Sequence, residues 1–186
     1  MIENQNFEKL DFTSTPFKID EYDNCTFISC NFENQNLTNF SFVDCEFIDC
    51  NLSLVGTTNT AFKTVQFSDC KLLGIDFSEC NSFLLNMSFE SCFMNLTSFY
   101  QLKFKQKTFK NCTLNEVDFT ETDLSESNFE NCDLKRAIFD RSILIKTDFT
   151  SASNFTIDPE NNRIKGAKFS KNNIAGLLLK YQLKIT

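Results

Sequence analysis

Residues 109–149 read FKNCTLNEVDFTETDLSESNFENCDLKRAIFDRSILIKTDF, and they contain the most regular pattern of the chain. A Phe or a Leu recurs at every fifth position from Phe109 to Phe149. The residue two positions before each of these centres is small, with the single exception of Lys107. A strict period of five matches neither an amphipathic helix, with a period of about 3.6, nor a strand, with a period of about 2. The stretch is therefore an internal repeat, and such a repeat sets the architecture of the chain.

The same period continues towards the N-terminus as far as Phe7. It is interrupted once, because Leu84, the next centre after Phe77, follows it by seven residues instead of five. This spacing predicts a two-residue insertion, and hence an irregularity, within residues 78–83. The repeat pattern predicts one domain over residues 1–152.

Several units of the stretch carry a recognisable motif, namely VDFTE at 117–121, TDLSE at 122–126 and CDLKR at 132–136. They resemble the pentapeptide-repeat family, whose consensus is roughly Ala-(Asp/Asn)-Leu-x-x, and the resemblance covers about residues 5–152. It implies an all-β fold, a right-handed quadrilateral parallel β-helix with four pentapeptides in each coil. It also implies that each centre, and the small residue two before it, points into the core.

The implied coil can be compared with the sequence, because residues about twenty apart stack in one column, or about twenty-two apart across the insertion. One column is then entirely phenylalanine, and another column contains six of the nine cysteines. This sorting supports both the four-sided coil and the position of the insertion. The predicted core columns are Phe7, Phe27, Phe47, Phe67, Phe89, Phe109, Phe129 and Phe149, and Cys30, Cys50, Cys70, Cys92, Cys112 and Cys132.

Residues 153–186 depart from the pattern and are predicted to form a loop, a partial last coil, a helix and a tail. Ser170 is a suitable helix N-cap. Ile174, Leu177, Leu178 and Tyr181 follow at i, i+3, i+4 and i+7, which predicts an amphipathic C-terminal α-helix over residues 171–181. A β-helix end exposes core and unpaired strand edges and needs a cap. We expect this helix to cap the rod and its four apolar residues to form a two-fold homodimer interface.

The nine cysteines allow a metal site, disulfides or simple core filling. All nine lie two residues before a centre, where the family consensus has a small residue. Stacked thiols with parallel Cβ vectors are poorly placed for disulfides, and the chain has no C-x-x-C pair of the kind that binds metals. Buried apolar filling by reduced thiols is the preferred interpretation, and we expect no metal and no cofactor.

The composition argues against catalysis, nucleic-acid binding and a membrane location. Histidine is absent, and carboxylates on a convex rod stay solvated, so the chain is predicted not to be an enzyme. A net charge of −7 disfavours direct contact with nucleic acid or anionic lipid. The N-terminal segment has no basic and apolar signal, and no apolar run is long enough to span a bilayer, which predicts a cytoplasmic protein.

The chain is similar to one subgroup of the family, the Qnr and MfpA type, in its length and in its C-terminal AKFS at 167–170 and GLL at 176–178. This likeness implies a dimeric, acidic rod that mimics DNA, binds DNA gyrase or topoisomerase IV and gives resistance to quinolone antibiotics. Its net charge is about a third of that on an equal length of DNA. The predicted acidic partner surface consists of Glu116, Glu121, Glu126, Glu130 and Asp140.

Two features leave an alternative open. Many proteins of the Qnr type carry two longer projecting loops, which this chain lacks, and Lys135, Arg136, Arg141 and Lys146 interleave with the predicted acidic surface. The alternative is a structural scaffold or interaction protein with an unrelated partner and no topoisomerase or quinolone-protection activity.

Overall fold

The computed structural model describes residues 1–184 and is a parallel β-solenoid. Strands of successive coils pair in parallel with a register of twenty residues, as between Phe27 and Phe47. Across the predicted insertion the register becomes twenty-two, and Phe67 pairs with Phe89. Coil stacking therefore follows the five-residue period of the sequence.

Two sides of the coil carry regular strands, and each strand is short because a side holds only a few residues before the next corner. The strands are β1 (Ile2–Glu3), β2 (Asn6–Glu8), β3 (Glu21–Asp23), β4 (Thr26–Ile28), β5 (Ser41–Val43), β6 (Glu46–Ile48), β7 (Ala61–Lys63), β8 (Val65–Ser68), β9 (Met87–Glu90), β10 (Thr108–Lys110) and β11 (Asn128–Glu130). One side is a sheet ordered β1-β3-β5-β7, and the other is a sheet ordered β11-β10-β9-β8-β6-β4-β2.

The other two sides are joined by single parallel bridges. One series links Asn31 to Asn51 and continues coil by coil, and a second series links Asp118 to Ile138. Together with the two sheets they give four ladders, so that each coil has four sides. Bridges continue past residue 152, for example from Asp148 to Lys168. The division of the chain at residue 152 remains a prediction.

The corners explain why the chain needs few glycines. The second residue after most centres has a positive φ, and the series includes asparagines such as Asn39 (φ 65°) and Asn111 (φ 53°). Asparagine tolerates this left-handed region better than most residues. Where a long side chain stands there, as at Glu121 (φ 55°), the backbone N–H donates to the next coil, here to the carbonyl of Asp140 at 2.8 Å. That bond offsets part of the conformational cost.

The interior is filled by stacked rings. Within the phenylalanine column, Phe7 is half-buried and the other seven members are buried. Successive rings are nearly parallel, with centroids 4.7 Å apart for Phe27 and Phe47 and 5.4 Å apart for Phe89 and Phe109. The column extends by one further ring, because Phe169 stacks on Phe149 at 5.3 Å.

The insertion lies slightly later than the sequence indicated. The backbone N–H of Asn81 still bonds Thr60 in regular register, whereas that of Asn86 bonds Phe62, so residues 82–85 form an outward loop. The prediction that Leu84 is an inward centre is wrong, because this side chain is 64% exposed. Leu85 packs partly against the core instead. The five-residue period does not show which side chain is the first to point into the core again after a loop.

The predicted C-terminal α-helix is also wrong. Within residues 1–184 the segment forms only two 3-10 turns, Ile174–Leu177 and Leu179–Tyr181, after an earlier one at Phe77–Glu79. Two asparagines and Gly176 lower the helix propensity of this segment. The tail residues 185 and 186 lie outside the described residues.

The predicted loop that begins segment 153–186 contributes to the core, because Phe155 and Ile157 are buried.

A search of residues 1–184 for helices with the length and apolarity of a membrane span finds none.

Candidate functional site

Many of the inward side chains two residues before a centre donate a hydrogen bond to a backbone carbonyl of the preceding coil. The thiol of Cys50 donates to the carbonyl oxygen of Phe27, twenty-three residues earlier, at 3.3 Å. The hydroxyl of Thr122 makes the same bond to the carbonyl of Phe99 at 2.7 Å. The cysteines were predicted to be apolar filling, and this donor role was missed. The signal was present, because Ser and Thr replace Cys at equivalent positions in later coils.

All nine cysteines are buried, and each is a free thiol. Burial raises the pKa of Cys45 and of Cys80 to about 12, so both stay protonated near neutral pH. No group of three metal-ligating side chains is found among residues 1–184. The structure places all six members of the predicted cysteine column in the interior.

Thiol protection gives a direct test of this interior. In the native protein the nine thiols should resist iodoacetamide, because all nine are buried and the reagent cannot reach them. After unfolding in guanidinium all nine should react, as counted by mass spectrometry. Rapid native labelling of several cysteines would contradict the buried arrangement.

The outward corner residues form ion-pair columns. The carboxylate of Glu121 accepts from Gln101 in the preceding coil at 2.7 Å and from Arg141 in the following coil at 2.8 Å. The Gln101 bond and then the Arg141 bond lower the pKa of Glu121. Each side chain stands directly above its neighbour because residues twenty apart share one corner.

The other members of the predicted acidic surface lie in similar surroundings. Glu116 pairs with Arg136 at 3.3 Å, and Glu126 pairs with Lys146 at 3.4 Å. Asp140 pairs with Arg141 at 2.6 Å. Among the five predicted acids, only Glu130 has no cationic atom within 4.0 Å in the described part of the chain. Most of this surface is therefore locally neutralised.

Removing one cation should change a measurable titration. We expect Arg141→Gln to raise the pKa of Glu121 towards its ordinary value of 4.5, as followed by carboxyl NMR. The pKa of Glu121 is lower in the folded protein than in the unfolded chain, so its ionised form stabilises the folded state above the ordinary pKa. This stabilisation is lost as the pH falls through the lowered pKa of the folded state. Arg136→Gln is the matched control, since Arg136 pairs with Glu116 and should leave Glu121 unchanged. An unaltered Glu121 titration in Arg141→Gln would refute the pairing.

The C-terminal segment covers one end of the solenoid. The side-chain amide of Asn173 donates to the carbonyls of Phe149 and Ala152, both at 2.9 Å. Leu177 packs against the core, and the backbone N–H of Ile157 donates to the carbonyl of Gly176 at 3.1 Å. These contacts satisfy edge groups that would otherwise be left open.

Charged contacts hold the end of this segment. The ammonium of Lys180 lies 2.6 Å from Asp158 and 2.7 Å from Glu160, and these carboxylates raise its pKa. The hydroxyl of Tyr181 donates to Glu160 at 2.8 Å. The segment is thus tied to the turn at residues 158–160.

The predicted dimer residues are divided by this arrangement. Leu177 and Leu178 are half-buried, whereas Ile174 and Tyr181 are exposed. Leu179 is also exposed on the same segment, and an open groove of about 780 Å³ lies beside it. An apolar surface therefore remains at this end after the core has been covered.

The sequence matches a known family, described as the pentapeptide repeat region, over residues 20–83 and 82–179. This family agrees with the observed solenoid. The chain belongs to the pentapeptide-repeat family. Its predicted family is confirmed, and its repeats are of the kind that build this solenoid. No curated protein sequence gives a significant match.

Among solved structures, QnrB1 shares this fold. Full-length QnrB1, a plasmid-mediated fluoroquinolone resistance protein, aligns with a TM-score of 0.53 at 14% identity, covering 97% of this chain and 99% of QnrB1. HetL, involved in heterocyst differentiation regulation in the cyanobacterium Nostoc sp. Strain PCC 7120, aligns with a TM-score of 0.36 at 12% identity, covering 90% of this chain and 86% of HetL. The QnrB1 match establishes a likeness of fold.

Proposed function

We propose that this pentapeptide-repeat protein is a non-catalytic, protein-binding rod, and that a type II topoisomerase is the partner to test first. The observation that carries the binding role is the division of side chains by the coil. Most of the centres and of the residues two before them fill the interior, so the other three positions of each repeat lie largely on the outer sides. Such a surface suits recognition of another macromolecule.

The topoisomerase proposal rests on the likeness to QnrB1 over almost the whole of both chains. It also rests on the acidic composition, with a net charge of −7. A fold by itself supports many functions, so the site must be tested. The protein would act in the cytoplasm, where its partner and reduced thiols would be found.

A specific observation favours the second candidate, a scaffold with an unrelated protein partner. Mimicry of DNA needs a continuous negative surface. Here Glu121 and Glu126 are each bonded to a cation in the next coil. Such ion pairs between coils stabilise the rod, and they leave less uncompensated negative charge than a mimic of DNA would need.

A gyrase assay separates the two candidates. We expect the purified protein at micromolar concentration to change supercoiling by DNA gyrase, or its inhibition by ciprofloxacin. The double variant Glu116→Lys with Glu130→Lys should weaken that effect, because it reverses charge on the predicted acidic surface. Glu33→Lys, at an exposed position in an early coil, is the control. No effect of the wild-type protein on either reaction would leave the scaffold candidate, which pull-down experiments would then pursue.

We also propose that the protein forms a homodimer through its C-terminal segment. Ile174, Leu179 and Tyr181 remain exposed at the capped end, and an isologous contact would cover them in both copies. In this proposal the two 3-10 turns, and not an α-helix, carry the residues of the dimer interface.

The dimer can be tested without disturbing the cap. Ile174→Asp with Leu179→Asp should halve the mass measured by light scattering, because both side chains are exposed. Leu177 is unsuitable for this purpose because it packs against the core. Ile138→Asp, at an exposed position on the side of the rod, should leave the mass unchanged. A monomeric wild-type protein would refute the dimer.

A further inference from the structure

One side of the solenoid is interrupted halfway along the rod. The sheet formed by β1, β3, β5 and β7 ends at Ala61–Lys63. In the next coil, residues 82–85 form the outward loop, and the side resumes one coil later with the bridge between Lys103 and Asp123. The loop therefore projects between the coil that carries Lys63 and the coil that carries Lys103.

The tip of this loop presents two large apolar side chains. Phe83 is 69% exposed, and Leu84 beside it is similarly exposed. The loop has a defined conformation, because the N–H of Phe83 donates to the side chain of Asn81 at 2.9 Å and Leu85 packs against the core. Adjacent exposed apolar residues on a loop of defined conformation are typical of a surface that contacts another molecule.

The surroundings of the tip are basic, although the chain as a whole is acidic. The three segments 60–66, 80–89 and 102–109 contain four lysines and no Asp or Glu. Lys105 pairs with Asp123 at 3.1 Å. Within residues 1–184, neither Lys63 nor Lys103 has a carboxylate within the 4.0 Å of an ion pair. We call Lys63, Phe83, Leu84, Lys103 and Lys107 the basic loop site.

Lys107 links the lysines to the loop. It is the exception to the rule of small residues two before a centre, and its ammonium donates to the side-chain oxygen of Asn86 at 2.6 Å, at the base of the loop. It also lies 5.7 Å from the ring centroid of Phe104. Burial lowers the pKa of Lys107. Lys107 thus places a positive charge at the base of the loop that carries Phe83 and Leu84.

We propose that the basic loop site binds an acidic segment of a partner protein, with Phe83 and Leu84 contacting its apolar side chains and the lysines its carboxylates. Charge complementarity selects such a segment. The extent of the site favours a short peptide, because its three coils span only about 10 Å. Asp44 precedes it and Asp123 and Glu126 follow it on the same side. These carboxylates would repel an extended nucleic acid or an anionic bilayer.

Fluorescence anisotropy tests this proposal with the full chain and a labelled peptide of alternating Glu and Leu. We expect saturable binding that weakens with salt. Phe83→Ser with Leu84→Ser, and separately Lys63→Glu with Lys103→Glu, should each weaken it at least about tenfold. Lys135→Glu with Lys165→Glu, at exposed lysines elsewhere, should not. Circular dichroism would check that every variant is folded.

Further probes separate the possible ligand classes. A peptide with Gln in place of Glu should bind much more weakly. No binding of the acidic peptide, or binding that either loop-site variant retains, would overturn the proposal. Preferential binding of phosphatidylserine vesicles or single-stranded DNA would also overturn it and assign the site to that ligand. The experiment contains no topoisomerase, so its result is independent of the gyrase assay.

Discussion

Replacing Phe109 with alanine should lower the free energy of unfolding by about 3–5 kcal/mol, because a fully buried ring leaves a cavity that the rigid coils cannot close. The ring stacks between Phe89 at 5.4 Å and Phe129 at 4.9 Å. The loss therefore affects three coils, and it should be evident in urea denaturation followed by circular dichroism. Because an array of coils can unfold in steps, the slope of the transition should be compared as well as its midpoint.

Phe93→Ala provides the matched control. This phenylalanine occupies an outward position and is 56% exposed, so its removal leaves no cavity. We expect a change in unfolding free energy within about 0.5 kcal/mol. Similar losses in both variants would contradict the assignment of Phe109 to the interior column.

Replacing Gly176 with alanine should detach or distort the C-terminal cap. A Cβ atom at Gly176 would overlap the carbonyl oxygen of Phe155 and lie 2.7 Å from two of its ring carbons. Phe155 is buried, so it cannot simply turn away. We expect a loss of about 1–3 kcal/mol, the usual cost of overpacking, together with faster amide exchange at Ile157, whose N–H bonds the carbonyl of Gly176.

The control for this substitution is Gly56→Ala. A Cβ atom there would meet its nearest neighbour, Oδ1 of Asn36, at 3.4 Å, which is ordinary contact. The expected change in unfolding free energy is within about 0.5 kcal/mol. If Gly176→Ala is as well tolerated as Gly56→Ala, the close approach of the cap to Phe155 is refuted.

The family was predictable because its signal is repeated along the chain. A centre at every fifth residue identifies the coil many times over, so a single departure, such as the polar Thr57 at one centre, does not obscure it. The register followed from the same repetition, because a four-sided coil with a two-residue insertion gives one column of eight phenylalanines. The family match and the parallel pairing of Phe67 with Phe89 agree with that arrangement.

The C-terminal segment was not predictable in the same way, because it occurs once. The spacing of Ile174, Leu177, Leu178 and Tyr181 is typical of an amphipathic helix, but the cap must also satisfy the last coil. Asn173 bonds its carbonyls, and Gly176 lies against Phe155. Contacts with distant residues decided the local conformation there.

The outer surface shows the same division. The sequence identifies Glu121, Glu126 and Asp140 as acidic and outward, and it shows basic residues between them. It does not show that Arg141 reaches back one coil to Glu121, since that contact depends on which residues share a corner. The neutralised acidic surface and the basic loop site both emerge only when the coils are stacked.

The coil, its period and the identity of the side chains that fill it could be predicted from the amino-acid sequence, because these follow from local spacing repeated many times. The shape of the cap, the residues that form the outward loop and the partners of the surface charges could be seen only in the folded structure. Each of these depends on contacts between residues about twenty positions apart, or on a segment that occurs once. The candidate sites for partners lie in that second group.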